Sequence, residues 1–128
     1  MLLSVLNAIQ CTGRVEAMTK PVIILYFDDS QERAAAVASA QGVEAALGTE
    51  HCDIVPLLQT TWQETLLSLS PDSIYFLCSH GGIGEDGTLQ EWLEEHRYRH
   101  THSPAHACTV LFDKHSAKID WRRIATAA

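Results

Sequence analysis

Positive charge is what this chain has least of. Nine lysines and arginines face sixteen aspartates and glutamates over 128 residues, a formal net charge of -7 with the histidines neutral. An acid excess argues against coating a nucleic-acid duplex, where affinity is carried by cations on phosphates. The deficit is uneven: residues 1–96 hold 14 acids and 3 bases, net -11, and residues 97–128 hold 2 acids and 6 bases, net +4. Only that small basic end is suited to phosphate or to an acidic partner. No apolar run approaches the ~20 residues of a membrane-spanning helix, so neither nucleic acid nor membrane is expected as a partner. The four cysteines, Cys11, Cys52, Cys78 and Cys108, form no C-x-x-C pair, and free thiols in a cytoplasmic protein are expected. The opening MLLSVLNAIQCTG lacks the basic lead-in of a secretory signal. Residues 1–20 are read as an N-terminal extension, expected to be poorly ordered, with Met18 a candidate start. Neither an internal repeat nor a low-complexity linker divides the rest, and a chain of this length buries about 65 to 70 % of its unfolded surface as one domain.

What is present alternates between two kinds of segment. PVIILYF (21–27) is a continuous β-forming apolar run, which predicts a strand buried on both faces. Residues 30–47 are alanine-rich with Ala36, Ala40, Val43 and Leu47 at helical spacing, and Gly48 supplies a stop. CDIVPL (52–57) reads as a strand that Pro56 assigns to an edge or strand end. Thr61-x-x-Glu64 predicts a capping box opening a short helix that turns Trp62, Leu66 and Leu69 inward. SIYFLC (73–78) is a third strand. Thr88-x-x-Glu91 predicts a second capping box and a helix burying Leu89, Trp92 and Leu93, and RYRHT (97–101) is a candidate edge strand. Ser103-Pro104 predicts an N-cap and first helical position, with a helix to about Phe112 showing Cys108, Leu111 and Phe112 to the core. The closing IATAA reads as a frayed or interrupted end. The order predicts an α/β fold, a small parallel sheet flanked by helices, with ligands at the carboxyl ends of the strands. The loops 28–32 and 79–87 both fall there.

Loop 79–87, SHGGIGEDG, sets a histidine among glycines. Its backbone amides, ahead of a helix starting near Thr88, suit either an anion or a plain turn. There is no phosphate-loop G-x-x-x-x-G-K-[ST]. Glu32 stands three residues after Asp29, so it either closes a capping box or offers a carboxylate to an ammonium at the first helix. His80 either caps a carbonyl or serves a ligand. His96, His100, His102, His106 and Cys108 raise a metal site, yet their register crosses a helix end, a strand and a helix start, which predicts divergent side chains and no metal. SHGG resembles a lipase oxyanion loop, but no G-x-S-x-G nucleophile elbow exists. A caspase-like His80–Cys108 pairing lacks the Q-A-C-x-G context.

The segment His80-Gly81-Gly82-Ile83-Gly84-Glu85-Asp86-Gly87-Thr88-Leu89-Gln90 resembles the pattern H-G-x-x-G-E-D-G-T-[LIV]-Q of the D-alanine:D-alanine ligases. Downstream, ACTVLFDK (107–114) is similar to the family's S-A-x-x-M-D-K stretch, and FDDSQERAAAVASA (27–40) to the G-G-x-S-x-E-R that opens its first helix. The similarity covers about residues 21–114. It implies a Rossmann-like pre-ATP-grasp domain over 21–114, with 115–128 a C-terminal tail where an ATP-grasp domain would begin. It also implies an ATP-dependent enzyme that phosphorylates one D-alanine and joins it to a second, making a dipeptide for peptidoglycan. Carried over, Glu32 would hold the ammonium of the first D-alanine and His80 would orient it. Gly81, Gly84 and Glu85 would form the substrate loop, braced by Glu85, and Lys114 would reach the ATP phosphates.

Several positions depart from the family pattern. Phe27-Asp28 stand where it has two glycines, Ala35-Ala36 replace Val-Ser, Arg97-Tyr98-Arg99-His100 replace a glycine-hydrophobe-proline-tyrosine run, and His102 replaces a glycine. In the family the groups that bind adenine and Mg2+ lie beyond the equivalent of position 128. The chain is therefore expected to be a truncated ligase unit, inactive alone and without tight ATP or Mg2+ binding, and to need a separate ATP-grasp chain. The alternative is a non-catalytic stand-alone interaction or dimerisation module, with a homodimer as its candidate assembly.

Overall fold

The computed structural model describes residues 20–127. The expected N-terminal extension, Met18 and Cys11 lie, Lys20 apart, outside the described residues. Six residues, Val22–Phe27, form β1, and two other strands pair alongside it in parallel: β2 (Cys52–Leu57) on one side, β3 (Ile74–Leu77) on the other. A two-residue β4 (Arg99–His100) adds in parallel to β3, giving the order β2-β1-β3-β4. Helices α1 (Arg33–Leu47), α2 (Trp62–Leu67), α3 (Thr88–Glu95), α4 (Ala105–Phe112) and α5 (Lys114–Ala127) complete the described fold. The expected parallel α/β sheet is present, with RYRHT at one edge and the Pro56 strand at the other, where a missing N–H costs least.

Because side chains alternate across a strand, β1 feeds two cores. Ile23, Leu25 and Phe27 join Leu57, Tyr75, Leu77, Trp62, Leu66, Leu89, Leu93 and Tyr98 beneath α2 and α3. Ile24 and Tyr26 meet Ala36 and Ala40 of α1 on the other face, beside Cys52 and Cys78. The alanines let α1 lie close on the sheet. Cys52, Cys78 and Cys108 are free, and burial pushes the thiols of all three up.

Several local expectations are corrected. The N-cap of α2 is Thr61, as expected, but its hydroxyl makes no capping bond. Helix α3 is capped by Gly87 rather than Thr88, and the Thr88 amide donates instead to Asp86 Oδ1 at 2.9 Å. Helix α4 starts at Ala105 with Pro104, not Ser103, at its N-cap. Leu111 and Phe112 do not face the core: they are 59% and 49% exposed, and Ala105 is the buried residue of that helix. The tail beyond Asp113 is the helix α5, whose Trp121 and Ile124 are also exposed. No helix among the described residues is long and apolar enough to cross a membrane.

Leu25 has no exposed surface and sits in the central strand. Leu25→Ala is expected to lower unfolding free energy by about 2 to 5 kcal/mol, through lost burial plus an unfilled cavity. Urea denaturation followed by tryptophan fluorescence measures this, and a loss under about 1 kcal/mol would contradict the double-sided core.

Candidate functional site

A cleft of about 370 Å3 opens at the carboxyl ends of β1 and β3, in the range of small-molecule sites. Its walls come from three segments: Phe27 to Glu32 after β1, Gln59 after β2, and His80 to Ile83 after β3. Glu32 and His80, singled out in the sequence on opposite sides of 47 intervening residues, both line it. Gly81 lines it too.

Glu32 is the N-cap residue of α1, yet its side chain makes no capping hydrogen bond. The capping-box alternative for Asp29 and Glu32 is therefore not realised. The Asp29 carboxylate is used elsewhere, accepting the Gln59 amide N–H at 3.0 and 3.2 Å, which ties the loop after β1 to the loop after β2. The Glu32 carboxylate is left facing the cleft, at the positive end of a 15-residue helix that favours an anionic group there. His80 Nε2 lies 3.1 Å from the Ser39 hydroxyl on the same helix. Residues seven apart on a helix return to nearly the same azimuth, and that spacing puts Glu32 and Ser39 on one side of α1. Ser39 was missed by sequence reasoning; the i, i+7 relation to Glu32 was the available signal. Ser30 was also missed: its hydroxyl lies on the cleft, buried and without a hydrogen-bond partner among the described residues.

The glycine loop is shaped by its own acids. Gly81 and Gly82 both have left-handed backbone, φ 73° and 56°, which a side chain would strain. Glu85 Oε2 accepts the Gly81 amide at 2.8 Å, so Glu85 braces the loop rather than lining the cleft. The Gly82 carbonyl accepts from the Glu85 and Asp86 amides, and Asp86 takes the Thr88 amide. With these amides engaged, three of the seven donors from Gly81 to Gly87 are taken from the anion-nest alternative. Gly84 turns away from the cleft: a Cβ there would stand 2.3 Å from Ser79 Cβ and 3.4 Å from a Phe27 ring carbon. Its place in the site is packing, not contact with a ligand.

Lys114 opens α5, is exposed, and lines none of these walls. Among the described residues no three His, Cys, Asp or Glu side chains gather to hold a metal ion. The histidines of 96–106 have separate partners: His96 stacks on Trp92, His100 pairs with Glu94 at 3.1 Å, and His102 meets Gln90 at 2.9 Å.

No protein-family model matches the chain. Sequence comparison finds the D-alanine--D-alanine ligase of Granulibacter bethesdensis, 33% identical over 99 residues, covering 76% of this chain and 32% of that protein. The D-alanine--D-alanine ligase of Albidiferax ferrireducens is 33% identical over 110 residues, covering 86% of this chain and 32% of that protein. The chain thus spans about a third of the length of the curated relatives it matches. Among solved structures, a D-alanine--D-alanine ligase from Bacillus anthracis complexed with ATP superposes with a TM-score of 0.65 at 23% identity, over 81% of this chain and 36% of that one. That likeness shows the fold.

Packing at Gly84 is directly testable. Gly84→Ala is expected to cost about 1 to 3 kcal/mol of stability by overpacking against Ser79, and Ser79→Gly in the same chain should recover part of it. A double-mutant cycle by thermal denaturation reads the coupling, and additive losses would refute the contact.

Proposed function

We infer that this chain, which belongs with the N-terminal region of the D-alanine--D-alanine ligase family, is the unit that receives the first amino-acid substrate of such an enzyme. The observation that carries this reading is the meeting of Glu32, Ser30 and His80 on one cleft at the carboxyl ends of the parallel strands. A carboxylate with no hydrogen bond among the described residues at a helix start is suited to an ammonium group, through a charge-assisted bond stronger than a neutral one. The Ser30 hydroxyl offers a second polar contact. His80, steadied by Ser39, stands across the cleft to orient the amino acid, and the glycines let bare backbone approach it. D-alanine is the substrate proposed, from the family.

In the family ATP supplies the activation that turns the substrate carboxylate into an acyl donor. This chain spans about a third of the length of those ligases, and Lys114, the residue the resemblance assigns to ATP, stands apart from the cleft. The share assigned to this chain is therefore to bind and orient the amino acid, and dipeptide formation would require an ATP-grasp unit, in the same polypeptide or another. Cell-wall precursor synthesis in the cytoplasm is the setting that follows. A second reading, an interaction module without chemistry, draws on the exposed Leu111, Phe112, Trp121 and Ile124 of α4 and α5.

Calorimetric titration with D-alanine separates the two readings. Saturable heat with D-alanine, weaker with L-alanine, is expected, and Glu32→Ala should weaken affinity about ten- to hundredfold, the worth of one charged hydrogen bond of roughly 1.5 to 3 kcal/mol. Silence in the wild-type chain would favour the interaction module.

A further inference from the structure

Gln90 has no exposed surface, lies on α3, and takes no direct part in the cleft. Its Nε2 makes two bonds: to the Gly84 carbonyl at 2.8 Å and to His102 Nδ1 at 2.9 Å. The carbonyl can only accept, so the amide must present its NH2 group there, and the second hydrogen of that group then points at His102. Nδ1 must therefore be the unprotonated ring nitrogen, which fixes His102 as the neutral tautomer with its hydrogen on Nε2. Meanwhile Gln90 Oε1 is buried with no partner among the described residues. An unsatisfied buried acceptor costs about 1 to 3 kcal/mol, a penalty that an apolar side chain of similar shape would not carry. Stability alone gives no reason for an amide at this place; its two donated bonds do.

What those bonds control is the glycine loop. Gly84 ends the single 3-10 turn Gly82–Gly84, and the next residue, Glu85, holds the Gly81 amide beside His80. Fixing the Gly84 carbonyl fixes where Glu85 begins, and so where Gly81 and His80 stand. His102 in turn sits at a second recess of about 430 Å3 walled by Glu85, Thr101, Ser103, Cys108, Leu111 and Phe112, which gives its ring access to solvent protons. Burial, and then the nearby His100, hold the His102 pKa below the ordinary imidazole value, while Glu85 and a backbone hydrogen bond with Leu77 oppose this in part. The groups facing it are thus Glu85 from the loop, His100 from β4 with its partner Glu94 from α3, and the Cys108 thiol from α4.

We propose that Gln90 and His102 are positioning residues for the cleft: their hydrogen bond holds the glycine loop, and protonation of His102 releases it. A proton on Nδ1 would face the Gln90 NH2 group donor to donor, and the amide cannot turn over without setting Oε1 against the Gly84 carbonyl. Since the folded-state pKa is lowered, the pair's contribution is fully present above the unfolded imidazole value of about 6.5 and falls as pH drops through the lower folded value. The loop should therefore be ordered in neutral solution and loosen in mild acid. The importance of the loop to D-alanine rests on the function proposed above; the clamp itself does not.

The test uses the full chain labelled with 15N, followed by NMR from about pH 8 to about pH 5.5, the imidazole range. Exchange of the Gly81 and Glu85 amides, corrected for intrinsic pH dependence, and the Gln90 side-chain NH2 signals are compared in three proteins. In the wild type, protection should fall about tenfold across the range, roughly the worth of one hydrogen bond. His102→Asn places an amide oxygen near the Nδ1 position and does not titrate, so it should keep the protection and lose the pH dependence. Gln90→Met keeps shape and removes both donors, so protection should be low throughout. His80 is present in all three, so the difference between wild type and His102→Asn isolates position 102. The same pH profile in those two proteins, or wild-type protection in Gln90→Met, would overturn the proposal; if the methionine variant does not fold, the asparagine comparison decides alone. D-alanine titration at pH 7.5 and pH 5.5 then reports on the ligand. Absence of D-alanine binding at both values in the wild type would sink the amino-acid reading, while the exchange data would still decide the clamp.

Discussion

A Cβ on Gly81 would stand 3.7 Å from Cγ of Glu32, so the loop after β3 passes the first turn of α1 at van der Waals distance. That closeness is what makes one site of two segments almost fifty residues apart. It is maintained from three directions. Glu85 takes the Gly81 amide from within the loop, Ser39 meets His80 from α1, and Gln90 holds the Gly84 carbonyl from α3. Two successive left-handed residues are needed to turn the backbone inside this frame, and a side chain at either would add roughly 1 to 2 kcal/mol of strain. The glycines lower the loop's intrinsic order, and the three tethers restore it only where the cleft needs it.

The larger features were legible because they follow from periodicity. A six-residue run of apolar β-formers specifies a strand with two buried faces, and Ala36 and Ala40, one turn apart, specify the close face of α1. Short-range capping was less legible. Thr-x-x-Glu occurs twice, at 61–64 and 88–91, and in neither place does the threonine hydroxyl cap the helix, because Gly87 and Asp86 supply the second start and the first leaves its cap to solvent. Leu111 and Phe112 show another limit: apolar spacing marks a face of α4 as sticky, but which side of a short terminal helix the fold leaves uncovered is a tertiary matter. The closing segment is helical although none of its described residues is buried, so no core contact marks one of its faces. In the site, Glu32 and His80 were found as chemical groups in the right loops. Ser39 was not, although its i, i+7 spacing from Glu32 was there to be read; Gln59 and the Gln90–His102 pair were not, because their contacts depend on distances no spacing encodes.

His102 and the pair Phe27-Asp28 mark where this chain departs from the glycines expected at those positions, and each replacement has a visible physical use. Asp28 is drawn off to the Arg33 guanidinium at 2.6 Å, an exposed pair of small energetic weight, while its amide still donates to Leu57 and extends the β1–β2 ladder. Phe27 is almost wholly buried, lines the cleft, and lies against the face of the loop at Gly84. With Ile83 it makes the strand-end wall apolar, whereas Ser30, Glu32 and His80 make the rest polar. A ligand in such a cleft is oriented by polarity as well as by hydrogen bonds: a charged amine is drawn to the Glu32 carboxylate, and a small apolar group is driven from water toward the phenyl ring, at roughly 0.8 kcal/mol for each buried methylene-sized unit. Two glycines at 27 and 28 would have offered backbone to the ligand in place of that wall. The substitution therefore puts shape and apolar contact at this end of the cleft in place of bare backbone, which suits the short hydrocarbon side chain of the amino acid proposed as its ligand.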